Sequence, residues 1–301
     1  MHNAIMGHAI GDAFGVRYEL TPRKKMNNHP FKIWNCIWRG KQSYSDDTAM
    51  TLATMESIIR CKRIDVEDMM VEFVYWIEYG KHSADGFAYG VGSSTFNAIN
   101  KFYCGTPTLK CGSGDEKGNG NGALMRMLPI IFYLYYNKIE GEELYKIIKN
   151  ATIITHAHEI NVMGVYIYIN YFLNLLKGYD KRESYEMIKK LDFSRFSNKT
   201  IKAYRNILSN DISLFKRDEI RSGMYIVETL ESILWCVLNS RNFNEAIELA
   251  INLGGDTDTI GAITGGICGY LYGVPNNLKK KVKGYKNIEK KIEEFEKVLI
   301  N

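Results

Sequence analysis

Apolar residues recur at helical spacing along almost the whole chain, and this periodicity limits the fold more than any other feature. Val66, Met70, Phe73, Val74 and Ile77 fall at i, i+4, i+7, i+8 and i+11. Leu230, Ile233, Leu234, Val237 and Leu238 make a similar stripe, as do Phe243, Ala246, Ile247, Ala250 and Ile251. Near the C-terminus Ile288, Ile292, Phe295 and Leu299 make another, with lysines on its solvated face. At 3.6 residues per turn each set lines one side of a helix and must be covered by another element. Alternating runs are few; "IIFYLYY" at 130–136 is apolar throughout and reads as a buried helix or a strand. The five prolines, at 22, 30, 107, 129 and 275, avoid the stripes and suit helix boundaries. No linker, low-complexity tract or repeat divides the chain. One all-α domain over residues 1–301 is expected.

Composition narrows the function classes. A hydrophobic content of 46% supports a large core. The net charge of +5 suits a phosphate-bearing ligand but is too weak to indicate nucleic acid. Six cysteines without a C-x-x-C pair read as reduced thiols. The opening "MHNAIMGHAIGDAFG" lacks the basic segment and continuous apolar core of a signal peptide. The apolar stretch 161–176 contains three asparagines and falls short of the ~20 residues a span requires. These features predict a soluble, cytoplasmic protein with no membrane partner.

Two acidic pairs break the helical monotony. In "NLGGDTDTIGAITGGICGYLYG", residues 252–273, one helix should stop at Gly254-Gly255 and the next should begin with Asp258 or Thr259 near its N-cap. Gly261, Gly265 and Gly269 share one face of that second helix, so a neighbouring backbone can pack close to it. Asp256 and Asp258 at its head are then at least partly buried. Capping uses one acid, and the second adds like-charge repulsion. "SYSDDTAMTLATME" at 43–56 repeats the anomaly with Asp46 and Asp47 ahead of a stripe through Leu52, Met55 and Ile59. Two helix heads with paired acids and hydroxyls suggest a shared counter-ion. Oxygen donors favour a hard cation, Mg²⁺ with Mn²⁺ or Ca²⁺ as substitutes, and four carboxylates could neutralise two divalent ions. Ser45 and Thr259 could add neutral oxygens.

Other segments are weaker signals. "GSGDEKGNGNGALMR" at 112–126 could let backbone N–H groups approach a phosphate, or be a flexible surface loop. "THAHEIN" contains His156, and a lone histidine is more often structural than functional. Glu19 follows a first helix with Gly7, Gly11 and Gly15 at four-residue spacing, and a surface glutamate is its plain reading. Two metal-enzyme families fail on inspection. Isoprenoid synthases need D-D-x-x-D, and "DDTAM" has Met50 where the third acid belongs. Haloacid-dehalogenase-type phosphatases place D-x-D-x-T after a strand near the start of the chain, whereas "DTDTI" follows a helix near the end.

Taken together, the motifs resemble the ADP-ribosylglycohydrolase family, related to the dinitrogenase reductase-activating glycohydrolase. "GHAIGDAFGVRYE", "YSDDTAM", "GNGALMRMLP", "THAH", "SGMYIVETLESILWC" and "NLGGDTDTIGAITGGICGYLYG" occur in that family's order over most of the chain. The resemblance implies a compact orthogonal multi-helix fold and a dinuclear Mg²⁺ site. Ser45, Asp46, Asp47, Asp256, Asp258 and Thr259 would be metal ligands, with serine standing for threonine at 45. Glu19 would neighbour the metals and gate the site. Gly118, Asn119, Gly120, Asn121, Gly122 and Ala123 would cradle the diphosphate and ribose, and His156 would contact substrate. Asp12 and Arg126 would be structural. Residues 160–221 carry no signature.

The implied reaction is hydrolysis at C1″ of an ADP-ribosyl group, with Asp256 or Glu19 taking the proton from water. The implied partner is an ADP-ribosylated protein or small molecule, bound by a monomer. Nucleic acid enters only as ADP-ribosylated ends. A non-catalytic ADP-ribose-binding protein of the same fold is the alternative, as is a hydrolase of another ribosyl-linked metabolite. Acceptor discrimination is expected in the loops at 20–42 and 80–95.

Overall fold

The structure, a computed structural model, describes residues 1–300. Every expected stripe is a helix: Val66–Tyr79, Ile226–Asn239, Phe243–Asn252 and Tyr285–Ile300. The ambiguous apolar run is also a helix, Leu128–Tyr136, and Pro129 sits in its first turn, where a missing N–H costs nothing. Asparagine-bearing 161–176 belongs to Glu159–Leu176, a largely buried helix. Among the described residues there is no sheet, and isolated bridges such as Thr21 with Gly255 tie loops to helix ends. No helix among them is long and apolar enough to cross a membrane.

The centre of the fold is a pair of helices from opposite ends of the chain. His2–Gly15 packs along Thr257–Tyr272, with Gly7, Gly11 and Gly15 facing Gly265, Gly261 and Thr257. A Cβ on Gly261 would lie 2.6 Å from the Gly11 carbonyl oxygen, so the two backbones touch where side chains normally stand. Thr257 Oγ1 donates to the Gly15 carbonyl at 2.9 Å and closes the lower end of the pair. Both helices are buried around nearly their whole circumference, and Asp46–Cys61, Ile226–Asn239, Phe243–Asn252 and Tyr285–Ile300 pack around them.

Two boundaries differ from expectation. The second helix starts at Thr257, so its N-cap is Asp256 rather than Asp258 or Thr259. Gly254 and Gly255, both at positive φ, turn the chain so tightly that only one residue separates them from the helix. The 20–42 loop is also not wholly irregular. It carries short helices at Arg23–Asn28 and Trp34–Ile37, held by Phe31 and Ile33 backbone donors to Asn252 and Glu248.

Candidate functional site

The head of the glycine-faced helix abuts the head of Asp46–Cys61, so all four acids meet although they lie more than two hundred positions apart in sequence. Ser45 Oγ lies 3.1 Å from Asp47 Oδ2, and Thr259 Oγ1 lies 3.3 Å from the same oxygen. Neither Ser45 nor Asp256, the two N-caps, makes a side-chain capping hydrogen bond. The cap of Asp46–Cys61 comes instead from Asp12 on the first helix. Its Oδ2 accepts from the Thr48 N–H at 2.9 Å and the Thr48 hydroxyl at 2.6 Å. Its Oδ1 accepts from the Ser45 N–H at 2.9 Å and hydroxyl at 2.8 Å. Capping by Asp12 thus leaves Asp46 and Asp47 free for another task.

The energetics of this cluster are unfavourable as it stands. Asp46, Asp47, Asp256 and Asp258 are 6%, 1%, 3% and 4% exposed. Burial, reinforced by the neighbouring carboxylates, pushes Asp46 and Asp47 well above the ordinary carboxylate range. Asp258 is pushed up to about 8 by burial and by Asp256 beside it. Burial raises Asp256 too, against hydrogen bonds with Asp258 and Asn121. Glu19, half-buried at the end of the Val16–Tyr18 turn, is raised by burial and by Asp258 and Asp12. Like charges at this density cannot all ionise without a counter-ion.

The donors fit a hard cation. Asp47 Oδ1 is buried with no hydrogen-bond partner, and the Ser45 and Thr259 side-chain atoms beside that carboxylate are oxygens. The fit rests on this donor chemistry rather than a finished coordination shell, since no three His, Cys, Asp or Glu among the described residues are arranged as a metal site.

Beside the acids lies a cavity of about 250 Å³ lined by Glu19, Asp46, Asp256, Asp258 and Thr259. Gly120, Asn121, Gly122 and His156 also line it. Asn121 Nδ2 donates to Asp256 Oδ2 at 2.5 Å and to Thr229 Oγ1 at 2.9 Å, joining the glycine loop to the acids. The rest of the loop lies differently. Gly118 faces an adjoining groove, the Asn119 carbonyl accepts from the Ile226 N–H, and Ala123 is buried in the core. His156 is 2% exposed, and burial together with Arg126 holds it down to about 3, so its ring is neutral. A 310 Å³ hollow between Leu134 and Lys177 gathers no comparable set of acids.

Sequence reading missed part of the wall. Gly90, Gly92 and Ser93 to Thr95, at the start of helix Ser93–Tyr103, line the cavity, as do Lys117 and Met224. Gly90 has φ +84° and a Cβ there would lie 2.6 Å from Asp46 Oδ1, so glycine is required twice over. The "GVGSST" run could have signalled this, with small residues preceding a helix. The 80–95 loop expected to shape the acceptor side therefore does reach the cavity at its end, whereas none of its lining residues comes from 20–42.

Comparison with known proteins points to one family. A profile described as ADP-ribosylglycohydrolase matches residues 1–300. The ADP-ribosylarginine hydrolase Tri1 of Serratia proteamaculans is 30% identical over 282 residues, spanning 91% of this chain and 71% of the relative. The ADP-ribosyl-dinitrogen reductase glycohydrolase of Rhodospirillum rubrum is 26% identical over 277 residues, spanning 90% and 85%. A solved ADP-ribosylglycohydrolase-related protein complex superposes with a TM-score of 0.77 at 23% identity, covering 99% of this chain and 97% of that one.

Proposed function

The chain belongs to the ADP-ribosylglycohydrolase family, and from that premise we propose that it is a Mg²⁺-dependent hydrolase releasing ADP-ribose from modified arginine side chains. The coarser statement, an enzyme of ADP-ribosyl hydrolysis, follows from family membership. One observation carries the finer reading. Four buried acids from two helix heads meet beside a cavity walled by a glycine loop and a neutral histidine.

In this reading Ser45, Asp46, Asp47, Asp256, Asp258 and Thr259 would hold two Mg²⁺ ions, or Mn²⁺ in their place. When bound, the ions would neutralise the carboxylates and help orient the ribose hydroxyls. The remaining work belongs to the chain. Gly120 and Gly122 have no side chains, which lets the ligand's diphosphate and ribose approach the backbone. Asn121 fixes the Asp256 carboxylate through Oδ2. Asp256, with Glu19 as the second candidate, takes a proton from the water that attacks C1″. The C1″–N bond breaks through an oxocarbenium-like state as the water oxygen bonds to C1″. The electron pair of the broken bond goes to the guanidine nitrogen, and the leaving guanidine takes up the water-derived proton held by the carboxylate. The arginine acceptor is taken from the Serratia relative's activity.

The test is ADP-ribose release followed by mass spectrometry. Peptides modified on arginine and on serine would be compared in Mg²⁺ and in EDTA. Release that requires Mg²⁺ and favours the arginine peptide is expected. Equal release in EDTA would remove the metal from the reading. ADP-ribose binding without release would convert it to a binding protein, and a preference for serine would change the acceptor.

A further inference from the structure

Arg126 is the least explained residue near the cavity. Its guanidinium is fully buried, packs over the Phe73 ring at 5.0 Å and faces no carboxylate among its contacts. Nη2 donates to the Ala151 carbonyl at 3.0 Å and to Thr155 Oγ1 at 2.9 Å, while Nε and Nη1 have no partner. A lone buried cation is expensive, and an apolar side chain of similar length would fill the same space more cheaply. A purely structural reading leaves that cost unexplained.

The next link supplies an explanation. Thr155 Oγ1 has two side-chain neighbours, Arg126 Nη2 and His156 Nδ1, the latter at 2.9 Å. A guanidinium only donates, so the hydroxyl must accept from Arg126. The hydroxyl proton then needs an acceptor, and His156 Nδ1 is the one in reach. A neutral imidazole that accepts at Nδ1 carries its proton on Nε2. Nε2 is on the cavity side, since Cβ atoms built on Gly120 and Gly122 would lie 3.7 and 3.5 Å from it. The opposite assignment, with Nδ1–H donating to Thr155, would leave the hydroxyl proton buried without an acceptor.

We propose that Arg126 is a positioning residue: through Thr155 it locks His156 in the Nε2–H form and so presents a fixed, uncharged hydrogen-bond donor to the ligand cavity. The donor suits an anionic or hydroxyl oxygen and does not add a charge that competes for the acids opposite. That the donor meets part of an ADP-ribosyl ligand rests on the proposed function; the tautomer itself does not.

Ring ¹⁵N shifts of His-labelled protein at neutral pH read the relay directly. His156→Gln assigns the signals by deleting them. Wild type should show a pyrrole-like Nε2 and a pyridine-like Nδ1. Thr155→Val, which keeps shape and loses the hydroxyl, should give a mixture of tautomers and weaken ADP-ribose about tenfold by calorimetry, as expected for one misdirected hydrogen bond. Thr155→Ser should restore both. Arg126→Met should also admit the second tautomer, and it carries the test if Thr155→Val does not fold. An Nδ1–H ring in wild type, or unchanged shifts in both Thr155→Val and Arg126→Met, overturns the proposal. If wild type binds no ADP-ribose, the ligand assignment fails while the ring shifts still decide the relay.

Discussion

The Glu72 cluster and the two helix heads both bury carboxylates, and they treat them in opposite ways. Glu72, fully buried on helix Val66–Tyr79, receives Arg60 at 2.6 Å, Lys81 at 2.8 Å and His82 at 2.9 Å. Burial alone would raise it, but hydrogen bonds from His82, Lys81 and Arg60 hold it down at about 2. The four aspartates at the two helix heads receive no cationic side chain, and burial drives them upward. At Glu72, which braces the fold, the chain supplies counter-charge. At the two helix heads it supplies none, which leaves those acids open to the proposed metal ions.

The contrast can be broken or sharpened by substitution. The largest effect is expected from Asp256→Asn, which should lower kcat/KM for an ADP-ribosylated peptide about 10³-fold. Its melting temperature should stay at or above that of wild type in EDTA. Full activity with metal still bound would remove Asp256 as the base and leave Glu19. Glu72→Gln should do the reverse. Three donors would lose their charged acceptor, costing about 2 kcal/mol in denaturant titration, with the partly exposed Arg60 and Lys81 limiting the loss. Turnover per folded molecule should not change; a large fall in kcat would make the Glu72 cluster part of the site.

Asp47→Asn should give a smaller gain of about 1 kcal/mol in metal-free stability, because it relieves repulsion among buried carboxylates. The same variant should lose the rise in melting temperature that Mg²⁺ gives wild type. Destabilisation in EDTA would mean that Asp47 is needed for the fold.

The smallest effect expected is a slope with pH. Asp12 and Asp258, raised by burial to about 7 and about 8, keep protons in the folded chain where the unfolded chain has released them. Glu231, raised by burial to about 7, has the same sign away from the site. Metal-free stability should therefore fall as pH rises towards 8. His8 and His156, held down by burial to about 4 and about 3, act in the opposite sense. They do so below about pH 6.5, where unfolded imidazoles charge. Melting in EDTA should decline from about pH 6.5 to 8.5, and Mg²⁺ should reduce that decline. A melting temperature that rises across this window would contradict the assigned shifts.

What was legible in the sequence follows physical range. Stripes such as Phe243 to Ile251 declare a helix because their period is local. The paired acids stood out because capping accounts for one charge and each pair has two. Asp12 could not be read as the cap of a helix beginning 34 positions later, since spacing carries no sign of contact between elements. Gly90 and Met224 were missed for the same reason: their roles depend on what lies across the cavity. The N-cap at Asp256 was misplaced because two glycines at positive φ need fewer residues to turn than an ordinary loop.

The glycine-matched pair of helices has a consequence for biosynthesis. His2–Gly15 leaves the ribosome more than two hundred residues before the surface that covers it, Thr257–Tyr272. At about 5–20 residues per second the first helix waits on the order of tens of seconds with a bare backbone face. Until then Asp12 can cap its neighbour, but the acids at 46 and 47 have no opposite half. A ribosome-stalled chain ending before residue 257 should be open to protease in its first fifteen residues. The two halves of the acid cluster can therefore meet only once Thr257–Tyr272 has been made.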